Sequence, residues 1–193
     1  MNIPQCQALL AVTLADARCS APKESLNGRT GQSVLRMASA YESDGKTFMT
    51  GGDPVNALAA FMYGLGWLHC GIASGLLVTA GGRSACPFGG RFEPVPAAQY
   101  VKLDEKTGRY ARLLDTAIAS VTPSPDPGTP GYAFAVHVRF IAGLYLHYGK
   151  QQASSRRCEE ALACFSYGHG WLDAGVETGL FSILANREMF TVD

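Results

Sequence analysis

The sequence predicts an all-α protein, with two tandem three-helix up-and-down bundle units packed as a pseudo-twofold six-helix protein. Three observations lead there. One helical segment occurs twice, 104 residues apart. Apolar residues in both copies recur at helical spacing. The 193 residues are 47% hydrophobic and 17% charged, a globular composition able to bury a core.

The repeat is read directly. Residues 56–77 (NALAAFMYGLGWLHCGIASGLL) align without a gap on residues 160–181 (EALACFSYGHGWLDAGVETGLF), with twelve identities in twenty-two positions. Both tryptophans of the chain, Trp67 and Trp171, fall on each other. The same offset places Leu9-Leu10 on Leu113-Leu114, Ala38 on Ala142, Tyr41 on Tyr145 and Gly45-Lys46 on Gly149-Lys150. The expected boundaries are unit one over 1–80, a Gly/Pro-rich linker over 81–97 and unit two over 98–187.

Each unit reads as three helices. The first is expected over Pro4–Arg18 and again over Ala98–Val121, where Leu103, Tyr110, Leu114 and Val121 keep a helical period. The second carries Phe134, Val138, Ile141, Tyr145 and Tyr148 as an apolar stripe, with Val34, Met37, Tyr41 and Phe48 on nearly the same face of copy one. The third starts after Gly51-Gly52, with Asp53 as N-cap and Pro54 at the first helical position. It contains Gly64, Gly66, Gly71 and Gly75, all repeated in copy two. Each interior glycine costs about 1 kcal/mol relative to alanine. Ala57, Gly64, Gly71 and Gly75 therefore predict a small-residue ridge for close helix packing, with a ligand groove as the alternative.

Several function classes are disfavoured. Lys+Arg and Asp+Glu both number 16, so no basic excess favours nucleic acid. The six cysteines show no zinc-ligand spacing and are expected as reduced thiols in a cytoplasmic protein. The apolar run near Ala8 lacks a positive segment before it, so a cleaved signal is not expected. Residues 55–82 carry no Asp, Glu, Lys or Arg and could span a bilayer by length. Their counterpart in copy two carries His169, Asp173 and Glu177 at i, i+4 and i+8, which reads as a solvated stripe on an amphipathic helix. No membrane span is expected.

Tyr63/Trp67 and Tyr167/Trp171 are i, i+4 aromatic pairs, read as core packing or as a ring platform. The His169 stripe has metal-ligand spacing, but a solvated face is the simpler reading, and neither metal nor cofactor is expected. His69 and Cys70 point to different helical faces, which argues against a dyad. The Gly81–Arg91 run lacks the Lys-Ser/Thr of a phosphate loop and reads as a flexible connector.

The run Tyr167-Gly-His-Gly-Trp-Leu-Asp-Ala-Gly175 resembles the archaeal domain-of-unknown-function family numbered 357. Copy one resembles it through Tyr41, Asp44, Phe48, Gly52-Asp53, Asn56-Ala-Leu58 and Tyr63 to Leu68. The resemblance implies a small three-helix bundle, an archaeal source and a cytosolic setting, and it implies no activity. The copies depart from the pattern in complementary ways. Asp173 of copy two is His69 in copy one, Gly52-Asp53 becomes Arg156-Arg157, and Asp44 becomes Tyr148. If these aspartates formed one site per unit, neither copy would hold a full set.

The expected function is a non-catalytic binding or scaffold module for another protein, because no acid/base or nucleophile set converges. The alternative is a small-molecule binder or enzyme with its site between the copies. Candidate binding residues are Tyr63, Trp67, His69, Tyr167, Trp171, Asp173, Asp44 and Asp53. A pocket lined by the tryptophans with an aspartate turned inward would favour the alternative, whereas tryptophans in dry core with solvated aspartates would sink it. A fused pair favours a monomer over a homodimer.

Overall fold

The computed structural model describes residues 1–80, 88 and 90–191. Six helices carry the fold: α1 (Ile3–Asp16), α2 (Leu26–Thr50), α3 (Pro54–Ala73), α4 (Tyr100–Ala119), α5 (Pro130–Ser154) and α6 (Cys158–Glu177). The fold is all-α, as the repeat predicts. Four short strands, unforeseen in the sequence, pair as two antiparallel ribbons. β1 (Arg18–Cys19) joins β2 (Leu77–Val78), and β3 (Val121–Pro123) joins β4 (Phe181–Ile183). Each ribbon ties the end of a unit's first helix to the end of its third. It is the extended Arg18 and Val121 that end the first helices sooner than the apolar period suggests.

Local chemistry sets the helix starts. Asn2 and Gln5 form a reciprocal capping box on α1. Ser25, Asp53 and Thr129 accept backbone N–H groups at the starts of α2, α3 and α5, with Pro54 and Pro130 opening the last two. The expected Asp53 cap is therefore present, 3.2 Å from the Asn56 amide. Gly75 lies outside the ridge assigned to it. Helix α3 ends at Ala73, and Gly75 turns the chain with φ +74°, as Gly179 does at +77° after α6. These turns use the left-handed region that glycine occupies freely.

Helices α3 and α6 form the centre and are buried nearly all round. Gly64 and Gly71 face α2 of their own unit: a methyl on Gly64 would lie 3.0 Å from Tyr41 Cβ, and one on Gly71 2.9 Å from Val34. The contact between units uses the other pair. A methyl on Gly66 would stand 2.4 Å from the Tyr167 carbonyl oxygen, and one on Gly170 2.2 Å from that of Tyr63. The two backbones meet there reciprocally, as in a twofold interface. Close packing therefore explains the glycines, but through two faces of the helix rather than one ridge. The central position also accounts for the apolar α3. It is long and apolar enough to cross a bilayer, and 89% of its apolar window is buried inside the protein.

The outer faces of the two units differ. On α5, Val136, Phe140, Leu144 and Tyr148 form an exposed apolar ridge at four-residue spacing. Their counterparts on α2 are Gln32, Arg36, Ala40 and Asp44. The Gly81–Arg91 connector falls mostly outside the described residues. Beyond it, residues 91–95 lie between the units: the Glu93 amide donates to the Met1 carbonyl at 2.8 Å, and Glu160 and Glu159 accept the Phe92 and Val95 amides at 3.1 and 2.9 Å.

Candidate functional site

The tyrosines one turn before each tryptophan cross the seam between units. Tyr63 of α3 donates its hydroxyl hydrogen bond to Asp173 of α6. Tyr167 of α6 shares a 2.7 Å hydrogen bond with Nδ1 of His69 on α3. Positions 63/167 and 69/173 are related by the 104-residue offset, so the same contact occurs twice with different chemistry. Burial and the neighbouring Asp173 hold the Tyr63 phenol well above its ordinary pKa, so it keeps the proton it donates. Burial alone draws His69 down to about 4 and leaves it neutral at physiological pH.

Asp173 is 0% exposed and is reached by three donors: Tyr63, the Thr191 hydroxyl and the Thr191 amide at 3.1 Å. Its Oδ1 has no partner among the described residues. His169, 6% exposed, lies 3.1 Å through Nε2 from the Met189 carbonyl. Its pKa is lowered by burial, against the pull of Asp173 and that carbonyl. Glu177 accepts the Ser33 hydroxyl of α2. The stripe expected in solvent is thus turned inward. Its partners come from unit one and the C-terminal segment, more than a hundred residues away for Tyr63 and Ser33, so helical spacing alone could not reveal them.

The tryptophans form no platform. Trp67 and Trp171 are 0% and 6% exposed, and neither indole N–H finds a partner among the described residues. Tyr167 meets Trp171 edge-on at 6.4 Å, whereas the close partner of Tyr63 is Tyr41 at 4.4 Å. Asp53 serves as the α3 cap and binds Lys102 at 2.6 Å. Burial there is outweighed by Lys102 and Asn56, which leave its carboxyl below the usual value.

Asp44 and Tyr63 meet elsewhere, in an open pocket of about 360 Å³. Unit one contributes Tyr41, Asp44, Phe48, Asn56, Ala59, Ala60 and Tyr63. Unit two contributes Lys106, Tyr110 and Leu113 from α4, and His169 from α6. Among the described residues neither Asp44 nor Lys106 is held in an ion pair. Burial and Arg109 lower the Lys106 pKa, and its ammonium lies 6.0 Å from the Tyr110 ring centre. Of the eight expected residues, the pocket gathers two, the seam holds four, counting Tyr63 again, and the rest pack or cap. Sequence reasoning passed over Tyr41, although its identity with Tyr145 in the repeat marked it. Tyr110 showed only as part of the helical period of α4, and nothing in the sequence marked Lys106; both come from the other unit.

The sequence profile of DUF357, a family described as proteins of unknown function, matches residues 7–77 and again 109–181. The chain belongs to this family. It carries the DUF357 unit twice, in tandem, each matched segment running from within a unit's first helix to the strand after its third. No curated protein and no solved structure matches the chain.

The buried thiols of this DUF357 protein are held protonated at neutral pH. The Cys6 thiol is pushed up to about 12 by burial, and Cys70 and Cys164 are pushed up for the same reason. Among the described residues no three His, Cys, Asp or Glu side chains gather as a metal ion would require.

Proposed function

We propose that this tandem DUF357 protein is a non-catalytic binding protein whose ligand site is the pocket shared by the two units. One observation carries the reading: a pocket of about 360 Å³, within the size range of small-molecule sites, lined by both units and holding one unpaired acid and one unpaired base. Aromatic walls from Tyr41, Tyr63 and Tyr110 supply contact area, while Asp44 and Lys106 supply orientation. The raised thiols and the neutral, buried His69 support a binding role over catalysis. Among the described residues Cys6, Cys19, Cys70, Cys158 and Cys164 are not joined in disulfides, which supports a cytoplasmic setting.

A fragment screen by ligand-observed NMR tests this. Ala60 lines the pocket, so Ala60→Phe should fill it and abolish the hits that wild type retains. Hits unaffected by that substitution would count against the pocket.

A second reading, docking of another protein, is favoured by the exposed α5 ridge of Val136, Phe140, Leu144 and Tyr148. A complementary apolar helical face fits it. We expect a monomer, because the fused pair already supplies its own two-unit interface. Sedimentation velocity over a hundredfold concentration range checks this, and self-association lost in Phe140→Asp would assign the ridge to a second copy of the chain.

A further inference from the structure

The chain lays a short stretch of itself on the seam, and the seam meets that stretch residue by residue. After β4, residues 184–188 are exposed, and the chain then turns back onto α3 and α6. The Met189 carbonyl accepts a hydrogen bond from His169 Nε2 at 3.1 Å. A carbonyl only accepts, so His169 holds its proton on Nε2 here. The Phe190 ring is buried, edge-on to His169 at 6.5 Å. The Thr191 amide and hydroxyl both donate to Oδ2 of Asp173, and that hydroxyl lies 2.9 Å from the hydroxyl of Tyr63. Three consecutive residues thus meet three complements: a donor for a carbonyl, an apolar seat for a ring, and a carboxylate for an N–H/O–H pair.

The other side of the seam is built alike. Phe88 follows β2 as Thr191 follows β4, and the 104-residue offset sets it one residue beyond Thr191. Its ring lies on Tyr145 and Tyr167, at 4.8 and 5.4 Å. Thr191 stands by their counterparts, with Tyr63 at 2.9 Å and Tyr41 at 3.5 Å between hydroxyls. Each tyrosine pair is therefore covered by a segment that follows the other unit's third helix. The Thr191 seat alone adds a buried carboxylate, since the offset gives His69 where this seat has Asp173.

We infer that this seat is a peptide-binding site, occupied in cis by residues 189–191, which takes an aromatic–hydroxyl sequence, Phe-Thr or Phe-Ser, from another chain. The carbonyl and amide contacts suit any peptide; the buried ring and the hydroxyl on Asp173 select the sequence. A tethered segment acts at an effective concentration of about millimolar, so the cis arm must lift before a partner's peptide enters. The exposed residues 184–188 are the leash for that exchange. Asp173 is not among the residues of the Asp44 and Lys106 pocket, so the two sites stand or fall separately.

The test is fluorescence anisotropy with the full chain and a labelled, amidated peptide of residues 187–191, Arg-Glu-Met-Phe-Thr. The double variant Phe190→Ser/Thr191→Gly vacates the seat and keeps Tyr63, His169 and Asp173. It should bind the peptide at least tenfold more tightly than wild type, whose own arm competes. Thr191→Val in the peptide should weaken binding to the double variant at least fivefold, because it takes a donor from Asp173. Adding Asp173→Asn to the chain should shrink that preference. If a thermal melt shows the double variant unfolded, Thr191→Val in the chain replaces it, and should bind at least threefold more tightly than wild type. Equal binding to wild type and the vacated chain, binding to neither, or a preference that is under twofold or unmoved by Asp173→Asn overturns the inference.

Discussion

Unit one and unit two share a helical scaffold and a buried tyrosine pair, yet they have diverged at each place where that pair meets its surroundings. Tyr63 donates a hydrogen bond to a carboxyl group that also draws in the C-terminal segment, whereas Tyr167 meets a neutral imidazole. The Tyr41/Tyr63 pair carries Thr191, and its counterpart carries Phe88. The exposed face of α2 is polar where that of α5 is apolar. Packing positions are held in both units, and positions with chemical freedom have separated. The difference indicates which residues the scaffold needs and which a ligand or partner has been free to shape.

The comparison can be broken most severely at the backbone contact. Gly66→Ala and Gly170→Ala each drive a methyl into a carbonyl oxygen of the other unit, so each should destabilise by about 3 kcal/mol or more. Urea unfolding measures this. Comparable losses support a symmetric seam, and tolerance of one substitution would show that the units do not meet as equals.

Acid should act next. Between about 4 and the ordinary 6.5, the unfolded chain protonates His69 while the native state does not. Its contribution is therefore complete above pH 6.5 and is lost as pH falls toward 4, by up to about 3 kcal/mol. His169 is shifted in the same direction and adds to the loss. The urea midpoint should fall from pH 7 to pH 4.5, and His69→Gln should shrink that fall. An unchanged fall would remove His69 from the account.

Hydroxyl deletion separates the two tyrosines. Tyr63→Phe takes a donor from a buried carboxyl group and should cost about 2 kcal/mol, while Tyr167→Phe should cost about 1 kcal/mol. The reverse order would mean that the His69 contact, not the Asp173 contact, is the stronger tie. The smallest effect concerns a glycine with no such duty. Gly143, in the α5 interior where unit one has Ser39, would meet nothing within 4 Å on gaining a methyl. Gly143→Ala should raise stability by about 1 kcal/mol, read from the same unfolding curves.

Much of this architecture is legible in the residues. The repeat specifies two equivalent units, the apolar periods give six helices, and Asp53-Pro54 marks a helix start that the structure keeps. Local spacing misleads where a side chain's partner is distant in sequence. His169 and Asp173 look solvated on a helical wheel because Tyr63, Met189 and Thr191 are not on that wheel. The tryptophans draw attention as rare residues but only fill the core. Tyr41 and Tyr145 mattered more, and two identical tyrosines at one offset were the available clue. Phe88 carried no periodic signal, since the residues it meets, Tyr145 and Tyr167, belong to the other unit's helices.

The glycine-to-backbone contact between α3 and α6 has a further consequence for what mutation can explore. In a dimer of identical chains, every substitution at this seam appears on both sides at once. Joined in one polypeptide, the units stay at high local concentration, so the seam tolerates weaker terms on one side. A single mutational step can then place histidine opposite one tyrosine and leave aspartate opposite the other. The pairings Tyr167–His69 and Tyr63–Asp173 form a combination no symmetric dimer of a single unit could encode.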